Sequence, residues 1–265
     1  MTHFEAILIA IVEGITEFLP ISSTAHMVIT SSLLHLQKDD FTKYFEVCIQ
    51  LGAILSVLVL YAKRFLRFSE PAFYIKLIIA VIPSLIMGKL LNDIIDDILG
   101  KPGIIAAIMI IGGILLLFVD QWFRNSKIEE VDHINQSTAF RIGLFQCLAI
   151  LFPGLSRSAA TIVGGMVLNV SRKAAAEFSF FLAVPTMFAA TAYKTLKYVK
   201  TNGAFTQDQL LSLGIGNMVA FIVALLSIRF FISFVKDKGF RVFGIYRIAA
   251  GLLVYLLIAL GSITL

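Results

Sequence analysis

The chain is poor in charge. Asp, Glu, Lys and Arg make up 15% of its 265 residues against 58% hydrophobic ones, too little polar surface to wrap a soluble core of this size. It has two cysteines, Cys48 and Cys147. Each lies in an apolar segment with no ligand spacing around it, which excludes a disulfide framework and a zinc site. No basic region precedes the first apolar run, and that run contains Glu13 and Glu17, so the start reads as mature fold and not as a cleaved signal peptide. Alternation is missing too: Gly103 to Val119 is unbroken hydrocarbon, whereas a transmembrane barrel needs alternating segments of about ten residues. The net charge of +5 reads as loop Lys and Arg that set topology, and nucleic acid is not an expected partner.

What the chain does have is a succession of apolar stretches of about 20 residues, the length that crosses a bilayer's hydrocarbon. Full spans are expected near 45–62, 73–91, 103–122, 178–198, 211–233 and 244–263. Two more stretches, near 4–30 and 140–166, are interrupted by a proline and a polar cluster: LPISST at Leu19 to Thr24, and FPGLSRS at Phe152 to Ser158. The helix before the first break, Ile7 to Leu19, would rise only about 20 Å. Backbone unwinds at membrane depth only where protein or a water-filled cavity surrounds it. Each stretch is therefore expected to be a re-entrant pair of half-helices meeting at a polar elbow. Asn92, Asp93, Asp96 and Asp97 read as an exposed loop, and Tyr246 and Arg247, at a span end, as interfacial anchors.

The two broken segments align at a constant separation, Glu13 with Gln146, Pro20 with Pro153, Ser23 with Ser156 and Thr24 with Arg157. The expected fold is an all-α polytopic membrane protein with an inverted-topology repeat, each half a re-entrant helical hairpin plus three transmembrane helices. It forms a single integral membrane domain, with repeat 1 at about 4–122, a linker at 123–139 and repeat 2 at about 140–265. Three spans per half turn the second copy upside down, so the elbows at 20–26 and 153–161 should face each other near the midplane. Lys and Arg are about twice as numerous on one side of this arrangement. That side is expected to be cytoplasmic, with both termini and the mouth of the first hairpin outside.

Ionisable groups at membrane depth are functional by default. Glu13 and Glu17 are spaced i, i+4, which places two carboxylates on one helix face where a divalent metal ion, Mg²⁺ or Ca²⁺, would suit them. Beyond the elbow, Ser23 and His26 stand at i, i+3, a spacing that lets imidazole reach the hydroxyl and activate it; one of Ser22, Ser23 and Thr24 is expected to cap the second half-helix. The second elbow is cationic. Arg157 offers a planar fork for phosphate, with Ser156, Ser158 and Thr161 around a helix N-terminus. The other reading of Arg157 is a salt bridge to Glu13 or Glu17. Glu46 and Gln50 are expected to support the site from the next span, or only to hydrogen-bond within the bundle.

EGITEFLPISSTAH and PGLSRSAAT resemble the two signature motifs of the undecaprenyl-diphosphatase family, the bacitracin-resistance integral membrane phosphatases, and FEVCIQLGAIL is similar to its third characteristic stretch. The resemblance implies hydrolysis of a polyprenyl diphosphate lipid carrier to its monophosphate at the outer face of the bacterial inner membrane, returning the carrier to peptidoglycan synthesis. It also implies a divalent metal ion. The family's functional residues fall on Glu13, Glu17, Ser23, His26, Ser156, Arg157 and Thr161. In the expected mechanism Ser23 attacks phosphorus with His26 as base; attack by His26 or by water is left open by the spacing. Expected partners are the polyprenyl diphosphate and membrane lipids, and a homodimer is compatible with the sequence. Two other classes compete. Acid-phosphatase-like lipid phosphatases need a His five residues after a Ser-Arg pair, where Ile162 and Glu177 stand here. A polyprenyl-phosphate transporter would share the inverted repeat and the broken helices.

Overall fold

A capping box starts the first helix: the Thr2 hydroxyl accepts from the Glu5 N–H, and the Glu5 carboxylate accepts from the Thr2 N–H. The computed structural model describes residues 1–91, 95 and 98–263. Helix α1 (His3–Thr16) stops earlier than expected, with Glu17 as its C-cap. Pro20 supplies no N–H to carry the helix on, and its ring disfavours helical geometry at Leu19. Helix α2 (Ser23–Leu33) follows the elbow. Helices α3 (Asp40–Cys48) and α4 (Gln50–Leu60) run on as one apolar unit with a break at Ile49. After the short α5 (Ala62–Phe65) come α6 (Pro71–Leu90) and α7 (Pro102–Trp122), both opened by a proline, whose missing N–H costs nothing there.

The second part repeats the pattern. Helix α8 (Gln136–Leu151) breaks at Phe152–Ser156 and α9 (Arg157–Val167) resumes; then α10 (Arg172–Asn202), α11 (Gln207–Lys238) and α12 (Arg241–Ala259) close the chain. Six units are long and apolar enough to cross a membrane: Asp40–Leu60, Pro71–Leu90, Pro102–Trp122, Arg172–Asn202, Gln207–Val235 and Arg241–Ala259. These are the six expected spans. Helices α1, α2, α8 and α9, at 14, 11, 16 and 11 residues, fall short. The described residues hold no strand, only an isolated bridge between Ile128 and Val170. The protein is an all-α polytopic membrane protein. The expected loop residues Asn92, Asp93, Asp96 and Asp97 lie outside the described residues.

Lipid tails are as apolar as leucine, so helices here associate through close packing and not through escape from water. Small residues make that contact. A Cβ at Gly143 on α8 would lie 2.1 Å from the Ala80 carbonyl oxygen on α6, and one at Gly52 on α4 would lie 2.1 Å from that of Asn217 on α11. Helices α7 and α12 meet through Gly112, Gly113, Gly244 and Gly251. The first half-helix of each hairpin leans on a span from the other part of the chain, α1 on α11 and α8 on α6. Helix α10 is the most enclosed span. Its Phe178 and Phe180, with Phe18 from the first elbow and Phe231 from α11, form the buried aromatic centre behind the elbows. At one end of the bundle Asp120 accepts from the Phe240 N–H at 2.7 Å and forms an ion pair with Arg172 Nε at 2.8 Å, tying α7, α10 and α12 together.

Gly143→Ala should push α6 and α8 apart and lower stability by about 1–3 kcal/mol, read as a lowered thermal unfolding midpoint of the purified protein in detergent. Gly88→Ala is the control, since a Cβ there meets nothing within 4 Å; its midpoint should not fall.

Candidate active site

Both elbows resume as helices through the same device. Ser22 (φ 73°) and Ser156 (φ 77°) adopt left-handed backbone, and each accepts a hydrogen bond on its Oγ from the N–H three residues on, Ala25 at 3.3 Å and Ala159 at 3.2 Å. A non-glycine residue held in this region costs on the order of 1–3 kcal/mol and persists only where its surroundings over-determine it. This geometry shifts the expected correspondence by one position. Ser22, not Ser23, is the counterpart of Ser156, and Ser23 and Arg157 are the first residues of equal-length helices. From the proline to the capping serine the second elbow is one residue longer than the first, Pro153 to Ser156 against Pro20 to Ser22, so a fixed sequence separation cannot hold through it.

Side chains at the start of a helix tilt back toward its N-terminus. Ser23 accordingly turns to the elbow, where its hydroxyl donates a short hydrogen bond to Glu17 Oε2. The other carboxylate oxygen, Oε1, accepts from Arg157 Nη2 at 3.1 Å, and Arg157 Nη1 donates to the Ser179 carbonyl at 3.0 Å. Glu17 thus joins the two elbows, with the nucleophile candidate on one oxygen and the cation on the other. Both Glu17 and Ser23 are buried, and Arg157 largely so.

The expected contact between Ser23 and His26 is not formed. His26 Nδ1 lies 2.7 Å from the Ser22 carbonyl, which can only accept, so Nδ1 carries the proton. Nε2 then accepts from the Tyr246 hydroxyl at 2.7 Å. With both nitrogens engaged, the imidazole supports the left-handed turn at Ser22, and the carboxylate of Glu17 stands where the base was expected. Tyr246 comes from α12 and, though partly exposed, is a hydrogen-bond partner of His26, a contact the sequence did not suggest. Its neighbour Arg247 is not the expected anchor, for it is fully buried and donates to carbonyls of both elbows.

Two of the expected phosphate-binding hydroxyls have structural partners. Ser158 Oγ donates to the Phe18 carbonyl at 2.9 Å, across from one elbow to the other. Thr161 Oγ1 donates to its own helix, at 2.9 Å from the Arg157 carbonyl, and lies 2.6 Å from Ser179 Oγ. Ser22 and Ser156 spend only their lone pairs on capping and keep a proton to donate. Ser179, on α10, was missed, because a lone serine in an apolar span carries no sequence signal.

Three buried polar atoms here have no hydrogen-bond partner among the described residues: both carboxylate oxygens of Glu13 and Nε of Arg157. Glu13 is completely buried one helical turn before Glu17. Glu46 on α3 also has a buried, unpartnered Oε1, while Gln50 opens α4 and has no bond to Ser23, His26 or Arg157. No group of three or more His, Cys, Asp or Glu gathers to hold a metal among the described residues. The oxygens present at the first elbow, from Glu13, Glu17 and Ser23, nevertheless fit a hard cation, which needs few protein ligands when phosphate and water complete its shell.

With the geometry in place, the sequence model described as "Bacitracin resistance protein BacA" matches residues 6–253. The chain belongs to the BacA family. A relative from Flavobacterium johnsoniae named undecaprenyl-diphosphatase is 54% identical, with 97% of this chain and 96% of the relative covered. Proteins of the same name from Porphyromonas gingivalis and Aquifex aeolicus are 49% and 44% identical, covering 98% and 95% of this chain and 98% and 97% of the relatives. The BacA match includes both elbows and α12 as far as Leu253, so Tyr246 and Arg247 lie inside it.

A double-mutant cycle on Glu17→Gln and Arg157→Met, read by thermal unfolding, should give a coupling of about 0.5–3 kcal/mol, the range for residues in direct contact. Additive losses would mean that the pair is not formed in the membrane protein.

Proposed function

We infer that the protein hydrolyses undecaprenyl diphosphate to undecaprenyl phosphate and inorganic phosphate, the activity in the names of its BacA relatives. The observation that carries this reading is the pairing of unsatisfied groups at one place. Glu13 offers bare carboxylate oxygens suited to a cation, and Arg157 Nε offers a bare donor suited to a phosphate oxygen. A metal-bound diphosphate answers both. No comparable observation favours a transporter.

Ser23 Oγ attacks the terminal phosphorus and its proton passes to Glu17, the group to which it already donates. The bond from that phosphorus to the bridging oxygen breaks, and the lipid monophosphate leaves with the electron pair. Water then hydrolyses the phosphoserine, and Glu17 returns the proton to Ser23 Oγ. Arg157 turns donors toward the transferring oxygens, helped by the N-terminus of α9 and the Ser156 hydroxyl. Glu13, with Glu17, would hold a divalent metal ion, Mg²⁺ or Ca²⁺, which neutralises phosphate charge when bound.

The same reading sets the wider frame. The halves 4–122 and 140–265 are inverted copies, supported by the shared left-handed serine caps and by the crossed packing of α1 on α11 and α8 on α6. The site opens to the outer face of a bacterial inner membrane, supported by the excess of Lys and Arg on the opposite side. Carrier recycling for peptidoglycan synthesis and bacitracin resistance follow from the activity.

Purified protein should release phosphate from undecaprenyl diphosphate, and Ser23→Ala, Glu17→Gln and Arg157→Met should each lower kcat by at least about 100-fold, the scale for losing a group that acts only in the transition state. Acid quench during turnover should trap phosphate on Ser23. Phosphohistidine would overturn the serine step, and no covalent species would assign attack to water.

The metal is tested apart from activity. Mg²⁺ or Ca²⁺ added to chelator-treated protein should raise the unfolding midpoint of the wild type and leave that of Glu13→Gln unchanged.

A further inference from the structure

Arg247 is the only arginine that is completely buried among the described residues, and no carboxylate pairs with it there. All its bonds end on backbone carbonyls from three separate segments. Nη1 donates to Pro20 of the first elbow at 3.2 Å and to Leu155 of the second at 2.7 Å; Nη2 donates to Gly154 at 3.0 Å, and Nε to Met109 of α7 at 3.2 Å. Two features of the neighbourhood exist to admit it. Gly112 and Gly113 on α7 leave the space its side chain crosses: a Cβ at Gly112 would lie 2.3 Å from Nη2, and one at Gly113 would lie 3.0 Å from the Arg247 Cβ. Gly154 (φ 103°) turns its carbonyl toward the guanidinium.

The geometry points to Arg247 as a positioning residue that fixes the distance between the two elbows and so the alignment of Ser23 and Glu17 with Arg157. The inference rests on the phosphatase reading for its kinetic part alone. Glu17 and Arg157 reach each other across the gap that Arg247 spans from behind, so the front pair is correctly placed only while the back is closed. When substrate draws Arg157 toward phosphate, the pair with Glu17 loosens and Arg247 remains to hold the elbows in register. Lysine cannot replace it. A single ammonium reaches one point, whereas this site uses the planar fork on two elbows and a span at once.

The test uses full-length Arg247→Lys, with Gly112→Ala as a second variant that keeps the arginine but displaces its guanidinium. Arg241→Lys, exposed at the start of the same helix, is the control. Both test variants should still unfold in one cooperative transition, at a lowered midpoint, and keep a KM within about threefold, while kcat falls about 100-fold, the scale of an ångström-level misplacement. Hydrogen exchange should quicken in peptides covering Phe18–His26 and Phe152–Ala160 together, though they are far apart in sequence, and nowhere else. Wild-type kcat with unchanged elbow exchange in either folded variant overturns the proposal. Exchange that quickens through every helix in both variants also overturns it, in favour of a general structural role. If wild-type protein releases no phosphate, the phosphatase reading fails, while the exchange pattern still decides whether Arg247 holds the elbows.

Discussion

A carbonyl freed in the middle of a bilayer has no water to bond, and leaving it bare costs several kcal/mol. This protein interrupts two helices inside its apolar helical bundle, so it must satisfy the carbonyls released around Phe18, Pro20, Gly154 and Leu155. Two side chains do this, and both work across the gap. Ser158 of the second elbow takes the Phe18 carbonyl of the first, and Arg247 takes Pro20 from the first with Gly154 and Leu155 from the second. Neither break is tolerable alone. The need to satisfy backbone in hydrocarbon thus draws the two elbows together, and their meeting brings Glu17 to Arg157.

The spans were legible in the sequence because length and hydropathy are enough to specify a membrane crossing, and Pro20 and Pro153 marked the breaks for a local reason, a missing donor. The residue types at the site were legible for the same kind of reason, since glutamates, an arginine and a histidine stand out in apolar sequence. Their pairing was not. Helical spacing suggested that Ser23 would meet His26, and both do lie in α2, but the rule says only which side chains can meet, and the imidazole is taken up by the Ser22 carbonyl and Tyr246. The Ser23 side chain points back across the break to Glu17, six residues away by a path no periodicity describes. Arg247 was lost through a boundary. With the last span begun at Gly244 it looked close to the interface; the helix starts at Arg241, and a charge two turns in should have been read as an intramembrane group with a purpose.

Division of labour between the two halves follows from one substitution on a shared frame. Each second half-helix is capped by a left-handed serine and has the same length, and the position after the cap is Ser23 in one and Arg157 in the other. That position has a particular physical character: its side chain leans into the elbow, and the helix N-terminus behind it favours negative charge. In the mechanism proposed above, a hydroxyl placed there would face phosphorus, and a guanidinium placed there would face phosphate oxygen.

The strained caps fit the same logic. Glycine would relieve the left-handed backbone at 22 and 156, but it would leave the N–H groups of Ala25 and Ala159 without an acceptor and remove a hydroxyl proton from the elbow. Serine satisfies the helix through its lone pairs and keeps that proton to donate. The strain is held in place from outside the turn: at Ser22 by His26, itself fixed through Tyr246, and next to Ser156 by the grip of Arg247 on Gly154 and Leu155. Tyr246 and Arg247 are consecutive residues of the last helix. One turn of α12 therefore stabilises both strained elbows, and the most remote part of the chain in sequence becomes the support on which the site is built.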